Sequence, residues 1–473
     1  MARYLRNIDA KLKSLGSTAA LQITQCGGGT VSVARAIEAP LLTLDSGPVA
    51  GVTGSVHLGT LMNHPNVITT DMGGTSFDVG VIADGAASSS YKSSVNQYEY
   101  FLPKVDIQAI GAGGGSLAWI DETTRTLHVG PDSAGSVPGP VCYGRGGTVP
   151  TVTDASLVIG YLDPSSFAGG RLKLDREAAA AAIAPFAEKV GMTLDECAAG
   201  ICRIVEFNMA DIIRRTTVGK GYDPRDFVLY AFGGAGPAHA GIFAREAGVH
   251  TVIVPQRKSA SVWCAYGAAA ADILHVYERA NLMSSPFDVA ALNAMLAEVG
   301  ENARSQAEAE GVEGCELSYA IDLRHRGQIN EVEIPLEGLR LEAADLPKLA
   351  EKFFDRYETL FGRGSSLRGA RLEAVNFRCR ATAETAKPKL LQEKSSSATI
   401  PAAAKRAPRS VYWTELKSRR DTPVYDGDLL VCGNVIEGPA IVETIDTTVV
   451  VHTGQKLSAD SFGNFELSIP KAS

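Results

Sequence analysis

Two aspartates, two glycines and two hydroxyl residues fall between Asp71 and Asp78 in the stretch TTDMGGTSFDVG, residues 69–80. Backbone N–H groups of Gly73, Gly74 and Thr75 could converge on an anion, because glycine puts no side chain in the way. Thr75 and Ser76 add hydroxyl donors. Asp71 and Asp78 would repel a phosphate unless a cation sat between them. Phosphate chemistry here therefore requires a metal such as Mg²⁺, held by Asp71 directly or through water. The same residues also suit a tight surface turn, and taken alone they leave both readings open.

A second glycine cluster, Gly233, Gly234 and Gly236, follows the apolar run DFVLYAF. Pro237 suits the first turn of a helix. Such glycines let a flat ligand or a phosphate reach the backbone beside a helix N-terminus. A close-packed strand–helix turn explains them as well. His239 reads as a packed or capping histidine. GAGGGS at 111–116 fails the dinucleotide pattern GxGxxG, since Ser116 stands at its last position and strand-like SLAWID follows. It reads as a loop, or as a wall beside a nucleotide. CGGGT at 26–30 has no carboxylate beside it and reads as structural. Cys264, among bulky apolar residues, reads as core. The chain has no GxSxG elbow, no HxxxH and no CxxC.

The elements that must position these residues are legible in outline. Val67–Thr70 and Val79–Ile82 are β-branched strands. Gly73 and Gly74, free to take positive φ, would join them into a hairpin whose tip is Asp71 to Asp78. Upstream, Leu21–Thr24 and Leu41–Leu44 read as strands, and a Gly-Pro turn leads from the second into a helix. Residues 121–150 read as a loop. Residues 153–275 turn α/β: apolar spacing near 3.6 marks CAAGICRIVEFNMADIIRRTTV as a long helix, DFVLYAF and HTVIVPQ are strands, and SVWCAYGAAAADILHVYER is a helix. Beyond 285 follow a helix to about 310, a β-hairpin, a second helix and the strand RLEAVNFRCRATA. Residues 384–408 have a linker's composition.

Composition narrows the function. The 473 residues carry a formal charge of −8 and are 45% hydrophobic, enough for two or three domains. Mild acidity argues against a nucleic-acid surface. No apolar run reaches the ~18 residues that mark a membrane span. Eight scattered cysteines suit reduced thiols, hence a cytoplasmic protein.

Several long motifs occur together and in one order: LLTLDSGPVAGV, TTDMGGTSFDVG, the run from GAGGGSLAWID through VGPDSAGSVPGP to TVTDASLVIGYL, YAFGGAGPAHA, and TPVYDGDLLVCGNVIEGPAIVETIDTTVVVHTGQ. With them the chain resembles the hydantoinase A/oxoprolinase family over nearly its whole length. That family includes ATP-dependent hydantoinases, 5-oxoprolinase and the nucleotide-binding subunits of acetone and acetophenone carboxylases. Phe77 and Lys220 depart from the family's commoner residues and leave the phosphate motif intact.

The resemblance implies an α/β, actin/Hsp70/sugar-kinase-like nucleotide-binding fold. Its first domain would be incomplete, because family members usually begin with a further domain carrying another phosphate hairpin. The implied layout is a remnant of that domain at 1–65, the second actin-like domain at 66–280, an α+β domain at 281–383, a linker at 384–408 and a small β module at 409–473. ATP and Mg²⁺ (or Mn²⁺) are the implied cofactors. Asp71 and Asp78 would be the catalytic carboxylates, with Asp71 on the metal. Gly73, Gly74, Thr75 and Ser76 would hold phosphate, and Gly233, Gly234 and Gly236 the adenosine side. The implied function is an ATP-binding subunit that phosphorylates a carbonyl-derived oxygen, for ketone carboxylation or cyclic-amide hydrolysis. Implied partners are a hydantoinase B-type subunit, a chain supplying the first phosphate-binding domain, and a small carbonyl or cyclic-amide substrate. A scaffold subunit that has lost ATP binding is the alternative.

Overall fold

The computed structural model describes residues 1–95, 97–312, 314–329, 331–393 and 398–471. Residues 394–397 of the expected linker lie outside the described residues. The chain divides into two units, residues 1–46, 100–104 and 268–387 forming the first and 47–99, 105–267 and 388–473 the second. The segment 1–65 is thus shared between the two units, as is 384–408.

In the first unit a six-stranded sheet runs in the order Gln22–Thr24, Thr30–Ser32, Ile273–Ser284, Leu372–Ala383, Glu316–His325, Val332–Pro335. Helices Val289–Ala309 and Asp345–Phe361 share a buried core with this sheet, through Leu296, Val299, Phe353 and Tyr357 against Ile321, Leu323 and Phe377. The face bearing Asp322 and Arg378 is charged. Buried Arg378 pairs there with Asp322, Glu278 and Glu333, so its charge is compensated in place.

The second unit is built on a nine-stranded mixed sheet. Its centre is the parallel set Thr251–Val254, Val228–Phe232 and Val67–Met72, followed by antiparallel Phe77–Ala83. Side chains alternate across it with the period of two that a strand imposes. Val67, Tyr230 and Phe232 face Val49, Val52 and Leu58 of the helix Ser46–Met62. Ile68, Leu229 and Ala231 face the opposite layer, where Phe243, Val205, Met209 and Leu157 come from three further helices. Burial on both faces explains why these strands read as continuous apolar runs. The C-terminal strand Phe465–Ser468 extends the same sheet by pairing with Thr251–Val254. A separate four-stranded sheet holds Lys405–Trp413, Ser418–Asp426, Ala440–Glu443 and Thr448–Val451.

Three local expectations are corrected. Leu41–Leu44 is no strand; Pro40–Thr43 forms a 3₁₀ turn, and the helix begins at Ser46 with Pro48 in its first turn, where a missing N–H costs no bond. The run from Ser261 is not one helix. It is helical over Trp263–Ala270 and then becomes the strand Ile273–Ser284, because long antiparallel pairing with Leu372–Ala383 overrides the local helix pattern. The glycine-rich loop at 121–150 contains the strand Leu127–Ser133, paired with Ser116–Ile120.

Candidate functional site

The hairpin is present as Val67–Met72 and Phe77–Ala83, with Gly73–Ser76 as the turn. Asp71 and Asp78 are directly opposed across the ladder, which puts both side chains on one face. The turn is not made by positive φ at Gly73 or Gly74, since neither residue is left-handed. Their lack of side chains serves another end. A Cβ at either position would meet no atom within 4 Å, so the backbone at the tip lies open. The Gly73 N–H is turned inward to the Ser76 carbonyl at 3.3 Å. Among the described residues, the N–H groups of Gly74 and Thr75 have no acceptor within the chain. Two of the three amides expected to meet an anion are therefore available. Ser76 donates its hydroxyl to Asp78 at 3.1 Å. Phe77 is buried and meets Phe243 edge-on with ring centroids 5.3 Å apart, which assigns it to the core beneath the tip.

The loop at 111–116 holds this tip from behind. Gly114 N–H donates to Gly73 O at 3.0 Å and Gly115 N–H to Gly74 O at 2.7 Å. Thr153 anchors the loop in turn, donating both its N–H and its hydroxyl to Gly114 O at 2.8 Å. Thr153 lies in the first turn of the helix Val152–Ile159, whose capping box is Thr151 with Asp154. Asp154 is fully buried and accepts from Val141, Cys142 and Thr151. It is a structural carboxylate, saturated by its donors.

The second glycine turn packs against the first. Gly233 has φ +81°, and a Cβ there would stand 2.4 Å from Asp71 Oδ1, so only glycine fits. Ala235 N–H donates to Met72 O at 3.1 Å. Gly234 is open by contrast, its nearest neighbour being Asp446 O at 4.0 Å from a built Cβ. Pro237 sits in the first turn of the helix Gly236–Ala247. Behind it, buried His239 bonds Glu206 through Nδ1 at 2.9 Å.

These turns frame a cavity of about 370 Å³ within the second unit. Gly73, Gly74, Gly114, Gly234 and His239 line it, and Phe167, Ala168 and Ile445 give it an apolar part. The turn Glu443–Thr448 also lines the cavity. It is fixed to the glycine turn by Thr447 Oγ1 donating to Gly234 O at 3.1 Å, and by Ser261 N–H donating to Asp446 Oδ2 at 3.0 Å. Sequence reading assigned no role to Ser261, Thr447 or Asp446. The available signal is the polar turn Thr444-Ile445-Asp446-Thr447 between two apolar strand runs in VETIDTTVVV.

Asp71 lies behind the tip and, with Asp78, on the sheet face that carries the helix Ser46–Met62; neither carboxylate, nor Thr75, Gly233 or Gly236, is among the residues lining the cavity. Burial pushes the Asp71 carboxyl above the ordinary aspartate range, and a hydrogen bond from Cys264 Sγ at 3.1 Å partly opposes that rise. Cys264 is thus a half-buried neighbour of the carboxylates and not plain core. Its own thiol is pushed up by burial and by Asp71. Among the described residues no group of three or more His, Cys, Asp and Glu side chains is placed to hold a metal ion. Two opposed carboxylates beside open amides still suit Mg²⁺, which keeps several waters and takes further oxygens from phosphate.

The fold and the cavity define a mixed α/β protein with an open glycine hairpin at a ligand-sized cleft. Residues 1–277 match the hydantoinase/oxoprolinase family and residues 286–469 the hydantoinase/oxoprolinase C-terminal domain; the chain belongs to that family. It is 35% identical over 480 residues to caprolactamase subunit alpha of Pseudomonas jessenii, covering 99% of this chain and 67% of that protein. It is 36% identical over 467 residues to the acetophenone carboxylase gamma subunit of Aromatoleum aromaticum, covering 96% and 63%. The crystal structure of the ATP-dependent caprolactamase from Pseudomonas jessenii superposes with a TM-score of 0.88 at 34% identity, over 99% of this chain and 68% of that one. Nucleotide-free acetone carboxylase superposes with a TM-score of 0.81 at 29% identity, over 100% and 67%. The chain spans about two thirds of the length of these relatives. All eight cysteines are free, and among the described residues no helix is long and apolar enough to cross a membrane.

Proposed function

We propose that the second unit binds ATP with Mg²⁺ in this cavity, as the nucleotide-binding part of an actin/Hsp70/sugar-kinase-like fold, and that the chain acts as a subunit of a multi-subunit ATP-dependent enzyme. The observation that carries this reading is the meeting of two glycine turns with open backbone, at Gly73–Gly74 and at Gly234, on one cavity with an apolar part. In this reading the Gly74 and Thr75 amides receive phosphate oxygens, and Asp71 and Asp78 hold the cation. Burial disfavours the ionised form of Asp71, and a bound cation offsets that cost. Bound there, ATP with Mg²⁺ would supply a phosphoryl group to a carbonyl-derived oxygen of a small substrate. The relatives support both cyclic-amide hydrolysis and ketone carboxylation, being an ATP-dependent caprolactamase and acetone and acetophenone carboxylase subunits. Their naming as subunits supports a hetero-oligomer; the partners we propose for it are a hydantoinase B-type subunit and a chain supplying the first phosphate-binding domain.

Titration calorimetry with ATP, with and without Mg²⁺, tests the reading. Saturable Mg²⁺-dependent binding to the full chain or to its assembled complex is expected, and Asp71→Asn should weaken the Mg²⁺-dependent part at unchanged melting temperature. Absence of binding to both chain and complex would leave only the scaffold role.

A further inference from the structure

We infer that Asp446 is the sugar-recognition residue of this cavity, accepting hydrogen bonds from the ribose hydroxyls of the nucleotide; the inference rests on the ATP reading above.

Three carboxylates line the cavity: Asp163, Glu443 and Asp446. Two of them are already satisfied. Asp163 pairs with Arg409 and accepts from Ser165 and Ser166. Glu443 is buried and pairs with both Arg406 and Arg409. Asp446 differs. Among the described residues it has no cation within ion-pair distance. Its partners are two neutral donors, Ser261 N–H on Oδ2 at 3.0 Å and the Thr444 hydroxyl on Oδ1 at 2.8 Å. A carboxylate has about four acceptor sites, so each oxygen keeps one for a ligand. The two fixed donors also hold the group in one orientation, which lowers the ordering cost of binding.

Position selects the ligand group. All six residues of the turn Glu443–Thr448 line the cavity. Ile445 belongs to its apolar part with Phe167 and Ala168, its Cγ1 2.9 Å from where a Cβ on Gly169 would stand. Thr447 is bonded to Gly234 O. Asp446 stands between them in sequence, and its carboxylate is bonded to Ser261 N–H beside the glycine turn, where Ala260 O accepts from Gly233 N–H. In a nucleotide the sugar lies between base and phosphates, and a vicinal diol offers two O–H donors to one carboxylate.

Binding of ATP, 2′,3′-dideoxy-ATP and N6-methyl-ATP to the full chain, or to its complex, decides the matter. Dideoxy-ATP should bind on the order of ten-fold more weakly than ATP, the loss expected for hydrogen bonds to a charged acceptor, and N6-methyl-ATP should bind as ATP does. Asp446→Asn should bring ATP down to the dideoxy level while leaving dideoxy-ATP and the melting temperature nearly unchanged. Equal binding of ATP and dideoxy-ATP by the wild type would overturn the inference and leave the ATP reading standing. So would an Asp446-dependent loss confined to N6-methyl-ATP, which would assign the carboxylate to the base. Failure of all three nucleotides to bind would overturn the ATP reading, and this inference with it.

Discussion

A Cβ added at Gly73 or Gly74 would meet no atom within 4 Å, whereas at Gly113 it would lie 2.5 Å from the Thr75 amide nitrogen and 2.6 Å from the Gly74 carbonyl carbon. The two clusters touch, and they use the missing side chain in opposite ways. At 111–115 glycine permits close packing, so that backbone can bond backbone. At 73–74 it keeps a packed tip open on its outer side. The second glycine turn repeats the division within itself, Gly233 being pressed against Asp71 and Gly234 standing open. A count of glycines distinguishes none of this; the neighbours do.

The largest test of that division is Gly113→Val. Its side chain has no room against the backbone of the tip, and overpacking of this kind costs about 3 kcal/mol or more. Chemical denaturation should show a clear loss of stability, with nucleotide binding lost alongside. A wild-type midpoint would mean that the loop does not clasp the tip. Asp71→Asn should act differently, removing about 2–4 kcal/mol of transition-state stabilisation from ATP turnover in the assembled enzyme. The denaturation midpoint should stay close to the wild-type value, because an amide fills the same space. Unchanged ATP turnover would remove Asp71 from the proposed site.

Gly74→Ala and Gly234→Val probe the open class. Each added side chain begins in space, so stability should change by less than about 1 kcal/mol, while nucleotide affinity falls on the order of ten-fold. Matched losses of stability and affinity would instead make these packing glycines.

Local chemistry made part of this legible. The β-branched runs at 67–70 and 79–82 set the hairpin, and the apolar runs at 228–232 and 251–254 its parallel neighbours. The reason for Gly73 and Gly74 was not legible, because it lies in surrounding space and not in their own φ. Helix and strand were confused at 270–273, where the local pattern is helical and the deciding partner, Leu372–Ala383, is a hundred residues away. Asp446 escaped notice for a similar reason. Its turn reads as an ordinary hairpin bend, and the contact that brings it to the cavity, Thr447 to Gly234, joins residues 213 apart.

The smallest expected effect concerns Cys264, which sits on the packed side of Asp71. Burial raises the Asp71 carboxyl and the thiol's hydrogen bond holds it partly down. Cation binding needs the ionised form. Mg²⁺-dependent nucleotide affinity should therefore be full above the raised Asp71 pKa and fall as pH drops through it. Stability moves the other way. A folded-state pKa above the unfolded value means that this group's contribution is fully present below the unfolded pKa, about 3.9 for aspartate, and is lost as pH rises through the folded one. Cys264→Ala removes the donor and should shift the midpoint of the affinity profile to higher pH, with a loss of about 1 kcal/mol near that midpoint. Cys264→Ser keeps a donor and should hold the midpoint at or below the wild-type position. Coincident profiles for all three proteins would make Cys264 packing alone, and the Asp71 carboxylate would then be tuned by burial without help from its neighbour.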